Sequence, residues 1–282
     1  SGTNEEGKLI AVGIYAPQSY LYTKNNGTAL SNAADAQYGN GFPNFNVTGD
    51  CDTLWAGAAF QAGASLDAAS PNTIAVGAGG SVSGGQGILV GSQNYTVTNA
   101  GLITANADTK KFNLDGSKNV ALLFKGDTHA APYVGSVKNT LINSGTIEGP
   151  GDNGTAVMVW AGDTEITTTG TITGKGDGYA IKTASGNDTV RIDGGTVTGH
   201  VDLGMGSNTL AVRTSWTLTG QITAGEGTLV TVDGGTLNMT GGTIQAGGIT
   251  GGNNADTITI SGGIVNGGIQ GGSGDDTVTL SG

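Results

Sequence analysis

The sequence predicts an all-β chain wound as a parallel β-helix, a solenoid of stacked coils with an irregular N-terminal cap. Three observations predict it. Glycine and threonine are in excess, apolar residues alternate with period two in short runs, and those runs return at intervals of roughly 20 residues. Of 282 residues, 54 are Gly and 39 are Thr, while charged residues make only 12%. Average Gly usage is about 7%, and both residues are poor helix formers. No Gly-X-Y period runs through the chain, which excludes collagen. The apolar share is 36%, and its regular placement argues against plain disorder. No apolar run approaches the roughly 18 residues of a membrane-spanning helix.

Composition divides the chain. All five prolines lie at or before Pro150, and 12 of the 15 aromatics lie before residue 142. Residues 142–282 hold 34 of the 54 glycines and 27 of the 39 threonines. We therefore expect an N-terminal cap and irregular first coils over 1–70. Residues 71–282 should be β-helix repeats, truncated at the C-terminal end. Thr277-Val278-Thr279-Leu280 stops in mid-coil, so the natural protein is expected to continue. The N-terminus, Ser1-Gly2-Thr3-Asn4, has no signal-peptide pattern; a secreted protein would have lost its signal.

The repeat elements follow in order. Asn99-Ala100-Gly101-Leu102-Ile103-Thr104 is the first cousin of Asn143-Ser144-Gly145-Thr146-Ile147-Glu148-Gly149. That string returns from Thr168 and again, after an equal step, from Asp193. A second motif links Ala121-Leu122-Leu123-Phe124 with Ala156-Val157-Met158-Val159, and echoes at Ala180-Ile181. A third is a triplet, apolar–outward–apolar: Val190-Arg191-Ile192, Leu210-Ala211-Val212, Val230-Thr231-Val232, Ile258-Thr259-Ile260 and Val278-Thr279-Leu280. Its offsets read 20, 20, 28 and 20. Val197, Leu218, Leu237 and Val265 follow as the next apolar position, then Val201, Ile222 and Ile269. In the longer unit, Gly241-Gly242-Thr243-Ile244 reads as a loop or partial extra strand.

Strands of three to five residues cannot stand alone as hairpins. Stacked as coils, they pair in parallel at about 4.8 Å, and their apolar positions become columns of one continuous core. Antiparallel hairpins would show turn signals about every 8–12 residues without a fixed offset of one coil. Residues 145–282 should supply six or seven coils and rise roughly 30 Å. Thr and Asn should fall on outward positions, with stacked Asn side chains hydrogen-bonded along a column.

The candidate sites are few. The net charge is −11, and the only arginines are Arg191 and Arg213, which excludes a nucleic-acid backbone binder. The single cysteine, Cys51, reads as a small buried hydrophobe. Gly271-Gly272-Ser273-Gly274-Asp275-Asp276-Thr277-Val278-Thr279 fits the calcium nonapeptide Gly-Gly-x-Gly-x-Asp-x-apolar-x. The stretch from Gly251 to Thr259, with Asp256, and that from Ser185 to Val190, with Asp188, fit it in part. The copies stand a coil or more apart, and calcium needs six to eight oxygens. An Asx-rich turn is the better reading, and no cofactor is expected. For sugar cleavage the candidates are Asp188, Arg191, Asp193, His200 and Asp202, with Asp188, Asp256 and Asp276 able to share one edge. His129 stands apart from them. A solvated turn accounts better for each than acid–base catalysis, and we expect no enzyme, no catalytic residue and no metal site.

Thr-x-Thr recurs at 171–173, 196–198 and 217–219 in one column, and at 257–259 and 277–279 in another. Regular Thr rows on a solenoid resemble ice-binding faces. The first column is broken by Asn238 and Gln245 and the second by Arg191 and Ala211, so ordinary β-surface threonine is preferred. Trp160, Tyr179 and Trp216 could stack on sugars, but a lone aromatic per coil is more often core or edge cover.

Strings such as Ile142-Asn143-Ser144-Gly145-Thr146-Ile147, Gly170-Thr171-Ile172-Thr173-Gly174 and Gly272-Ser273-Gly274-Asp275-Asp276-Thr277-Val278 resemble passenger repeats of bacterial autotransporters, the type V secretion proteins. The resemblance covers about 95–282. It implies a right-handed β-helix stalk exported through a β-barrel of the outer membrane, here expected downstream. It also implies display on a Gram-negative surface and a structural or adhesive role. The partner would be a host-cell, bacterial-surface or glycan ligand, and no family active site transfers. The alternative is a β-helical carbohydrate-active or carbohydrate-binding protein, including a phage-tail type.

Overall fold

Short strands broken by Gly, Asn and Asp stack coil on coil, as the period requires. The computed structural model describes residues 72–84, 87–90, 95–105, 120–124 and 138–281, apart from 152, 177, 214–216, 225–227 and 245–247. It also gives the backbone of five short strands before residue 57. The described residues contain strands and turns and no helix. Gly2–Thr3 pairs antiparallel with Leu9–Ile10. Every other strand pairing among the described residues is parallel, which makes the chain a parallel β-solenoid.

Each coil crosses three faces. The first face is a ten-stranded sheet running from Phe45–Val47 to Gly268–Gln270. The second carries strands such as Thr146–Glu148, Thr171–Thr173 and Thr196–Thr198. The third carries Val120–Phe124, Thr155–Val159, Tyr179–Ser185 and His200–Met205. Two strands, Thr217–Ala224 and Thr236–Ile244, bend across the second and third faces without a break.

Most of the expected cap over 1–70 lies outside the described residues. Phe45–Val47, Asp50–Cys51 and Leu54–Ala56 already pair in parallel with Asn72–Val76, Ser81–Gly84 and Ile88–Val90. A coil is therefore formed before residue 71.

The core is a set of vertical columns. On the first face Ile166, Val190, Leu210, Val230 and Ile249 lie in successive register, and each is fully buried. Burial of such a side chain stabilises by about 1.5–3 kcal/mol. No single coil can bury its own apolar face, so each depends on its neighbours.

The register corrects two expectations. Val230 is followed by Ile249 and then Ile269, not by Ile258. Ile258 instead sits over Leu237 and under Val278, on the second face. The apparently longer unit is therefore an ordinary coil, its partners spaced like those of its neighbours. Within it, of the loop and the partial extra strand that Gly241–Ile244 suggested, a strand is formed, though not an extra one: these residues pair with Gln221–Ala224 as the ordinary third-face strand. The other correction concerns asparagine. Asn99 and Asn143 point inward and are 1% exposed, because the corner after the first face brings carbonyls inside that need donors.

Glycine sets the same corner. A Cβ on Gly170 would lie 2.1 Å from the carbonyl oxygen of Gly145, and one on Gly195 would lie 1.6 Å from that of Gly170. Gly195 also has φ +70°. Coils pass so closely here that only a residue without Cβ fits.

All four residues of Thr277–Leu280 are exposed, and a hollow of about 620 Å³ lies among Ile260, Val265, Ile269, Val278 and Leu280. Among the described residues no helix is long and apolar enough to cross a membrane.

Candidate functional site

The acidic candidates divide between two different corners. Asp188 precedes the first-face strand Thr189–Ile192 and is 1% exposed. Register places it in a column with Asn139, Thr164 and Asn208, all of them buried. At three of these positions a side-chain oxygen accepts the backbone N–H of the coil below, while the Thr164 hydroxyl is buried without a partner. Asn139 Oδ1 accepts from Tyr95 at 3.0 Å, Asp188 Oδ1 from Thr164 at 2.9 Å, and Asn208 Oδ1 from Asp188 at 2.8 Å. Burial pushes the Asp188 carboxyl up to about 6. The Thr183 hydroxyl and the Thr164 N–H offset part of that, and the Asp163 charge adds to it.

Asp256 and Asp276 stand in the corner before the second face, so the expected shared edge with Asp188 does not form. Asp256 Oδ1 accepts from Gly234 N–H at 2.5 Å and Oδ2 from Gly252 N–H at 2.9 Å. Asp276 Oδ1 accepts from Asp256 N–H at 3.0 Å. Both oxygens of Asp256 thus serve backbone donors, where a cation site needs several oxygens converging without competing N–H groups. Asp233 is used likewise by Asn253 and Asn254, and the Asn254 side-chain amide in particular holds its carboxyl below the usual range. Among the described residues no three His, Cys, Asp or Glu side chains are placed to share a metal. The donor set does not fit calcium.

The sugar-cleavage candidates scatter. Arg191 faces out from the first face and pairs with Glu165, which also holds Lys138. Asp193 lies in the following turn, 3.8 Å from Arg213 Nε. His200 and Asp202 are on the third face, where they meet two residues not expected beside them. The rings of Tyr179 and His200 meet edge to face at 5.7 Å. Lys182 Nζ lies 4.4 Å over the Tyr179 ring and 3.9 Å from Asp202 Oδ2. Trp160, 39% exposed, lies on the same face one coil below. Lys182 could have been found from its register with Asp202, one coil further on. His129 and Trp216, and the side chain of Cys51, fall outside the described residues.

The threonine columns also rearrange. Thr146, Thr171, Thr196, Thr217, Thr236, Thr257 and Thr277 are in unbroken register on the second face. The neighbouring column reads Glu148, Thr173, Thr198, Thr219, Asn238, Thr259 and Thr279. What the sequence suggested were two broken columns is one face, which among the described residues runs on from Glu148 with Asn238 as its interruption, because Arg191 and Ala211 belong to the first face; Gln245 lies outside the described residues.

The class these features define is a parallel β-solenoid protein with polar ladders at its corners. Compared with known proteins, the chain matches no family model, no curated protein and no solved structure.

Proposed function

We propose that this chain is an exported β-helix stalk of an autotransporter-like protein, displayed on a Gram-negative cell surface in a structural and adhesive role without catalysis. The observation that carries the reading is how the interior is used. Stacked apolar columns fill it from coil to coil. The acids at its corners serve as acceptors for backbone N–H groups. Side chains so engaged hold a rod together and leave little for acid–base work. A solenoid lengthens by adding like coils, which suits a spacer that carries a contact surface away from a membrane. The repeat strings that resemble autotransporter passengers point the same way.

The test is surface accessibility in the organism that carries the gene. Antibody labelling and protease shaving of intact cells should reach the chain. Detection only after lysis would refute display. Beads coated with the purified chain should then be retained on cells more than beads coated with albumin.

One observation favours a second reading, a carbohydrate-binding protein. Trp160 and Tyr179 turn aromatic surface outward on one face, with Lys182, His200 and Asp202 alongside. Aromatic faces with nearby polar groups suit sugar rings. A glycan array read with the native chain and with Tyr179→Ala would decide it, and release of cleaved glycan would replace both readings with an enzyme.

A further inference from the structure

The corner ladder contains a charged member whose chemistry does not match its place. Asn208 makes two bonds there: Oδ1 accepts from Asp188 N–H, and Nδ2 donates to the Leu203 carbonyl at 2.5 Å. Asp188 holds the equivalent position one coil below. Its Oδ1 makes the same acceptor bond, to Thr164 N–H. Its Oδ2 is where Asn208 has an NH₂ group. That oxygen is buried and has no hydrogen-bond partner. The Thr183 hydroxyl lies near enough to ease the charge, yet it too is buried without a bond. Thr183 stands in register with Leu203, five residues before Asp188 as Leu203 is five before Asn208. By register the Thr183 carbonyl is the counterpart of the Leu203 carbonyl. An ionised Asp188 presents an acceptor to it, where its neighbour presents a donor.

We propose that Asp188 is a proton-operated latch at the inner corner of the solenoid. With a proton from water on Oδ2, the carboxylic acid reproduces the Asn208 pattern and donates toward the Thr183 carbonyl. Both oxygens of Asp188 are then paired, as both polar side-chain atoms of Asn208 are. Loss of that proton to solvent leaves a buried carboxylate with one oxygen unpaired, and the corner loosens. The surroundings offer no compensating charge. Asp163, the one ionisable group acting on Asp188, has the same sign, and its Oδ1 already accepts from Asn187 N–H at 2.8 Å. Among the described cations nearby, Arg191 is engaged by Glu165 and Lys182 by Asp202 on outward faces. Thr164, Thr183 and Asn208, which complete the surroundings, carry no charge. The elevated carboxyl titration described above agrees with this geometry. The latch closes in mildly acidic surroundings and opens near neutrality, independently of the stalk reading.

The experiment compares the full chain with Asp188→Asn by melting temperature and by hydrogen exchange of the 160–190 segment, between pH 4.5 and 7.5. Exchange is corrected for its intrinsic pH dependence. The asparagine variant carries the donor permanently. Its margin in melting temperature over the native chain should be small at pH 4.5 and widen to pH 7.5. Native protection should fall by roughly twentyfold across the range while the variant's stays level. Parallel pH profiles would overturn the latch. Asn208→Asp keeps the idea testable should the first variant misfold. It should install a second latch, with a penalty at pH 7.5 that shrinks toward pH 4.5, and a penalty independent of pH would count against the proposal.

Discussion

The Asn99 side chain donates from Nδ2 to Oδ1 of Asn143 at 2.8 Å, across 44 residues of sequence. Asn143 then donates to Thr168 Oγ1 at 3.0 Å, so the three form a ladder inside the first corner. All three are essentially buried. Asn143 also reaches the carbonyls of Gly145 and Thr171, and Asn99 that of Thr146. The ladder thus holds three coils in one register and supplies donors to carbonyls that the turn takes out of the sheet.

Asn143→Ala should therefore destabilise the protein by about 1–3 kcal/mol, the cost of leaving buried polar groups unpaired. Ile142→Thr, one residue away but 47% exposed on the outer face, should stay within about 0.5 kcal/mol. Urea unfolding of both variants checks the contrast. Equal effects would show that the ladder carries no stability.

The columns make a second demand. Leu210 is packed between Val190 and Val230 in register. Leu210→Ala should cost about 2–5 kcal/mol, since the coils above and below are fixed by their own hydrogen bonds and cannot close on the gap. Gly170→Ala should cost as much without removing any core atom, because its Cβ would meet the Gly145 carbonyl oxygen at 2.1 Å. Gly268→Ala, with open space where its Cβ would be built, is the control and should be near neutral in the same unfolding measurement.

Which parts of this were legible follows from what repeats. Val190, Leu210 and Val230 share a face, a length and a corner, so their column could be read directly. Ile258 could not be placed, for a physical reason. Asn187-Asp188-Thr189-Val190 and Ala255-Asp256-Thr257-Ile258 are nearly the same words because they do the same work. In each, an Asp at a corner accepts a backbone N–H from the coil below. They do it at different corners, before the first face and before the second. Likeness of sequence thus tracked the kind of turn and not its position. The same slip divided one threonine face into two and put Asp188, Asp256 and Asp276 on one edge. Tyr179 and Lys182 escaped notice as a pair with His200 and Asp202 because a side-chain cluster across coils has no local signature.

Calcium offers a direct check on the corner acids. Both oxygens of Asp256 and one of Asp276 accept backbone hydrogens, so neither site has a free set of six oxygens to offer. Millimolar calcium, or a chelator, should leave the melting temperature unchanged. A rise that saturates with calcium would mean that the Gly271–Thr279 turn rearranges to bind it. Asp276→Asn would then abolish the rise, whereas in the ladder an amide oxygen accepts as the carboxylate does and the variant should fold normally.

The inner corner and the outer face respond to pH with opposite sign. The Lys138 hydrogen bond holds the Glu165 carboxyl below its ordinary range, against an upward push from burial and with further help from Arg191. A depressed carboxyl stabilises the fold above its unfolded value of about 4.3. That contribution is lost as the pH falls below this value through the folded pKa. Asp188, raised to about 6, works the other way. It contributes most below its unfolded value of about 3.9, and the contribution fades as the pH rises to about 6 and beyond. Glu165 is 24% exposed and Lys138 about half, so solvent screening keeps the triad to roughly 1 kcal/mol or less. Glu165→Gln should lower the melting temperature slightly at pH 7, less at high salt, and not at pH 3. Asp188→Asn should raise it at pH 7 at any salt, since a buried carboxylate is screened far less. Melting curves of the two variants at pH 3, 5 and 7, each at low and high salt, separate an outward ion triad from an inward acid. A salt-sensitive Asp188→Asn effect would place that carboxylate in water and undo the burial on which its sign depends.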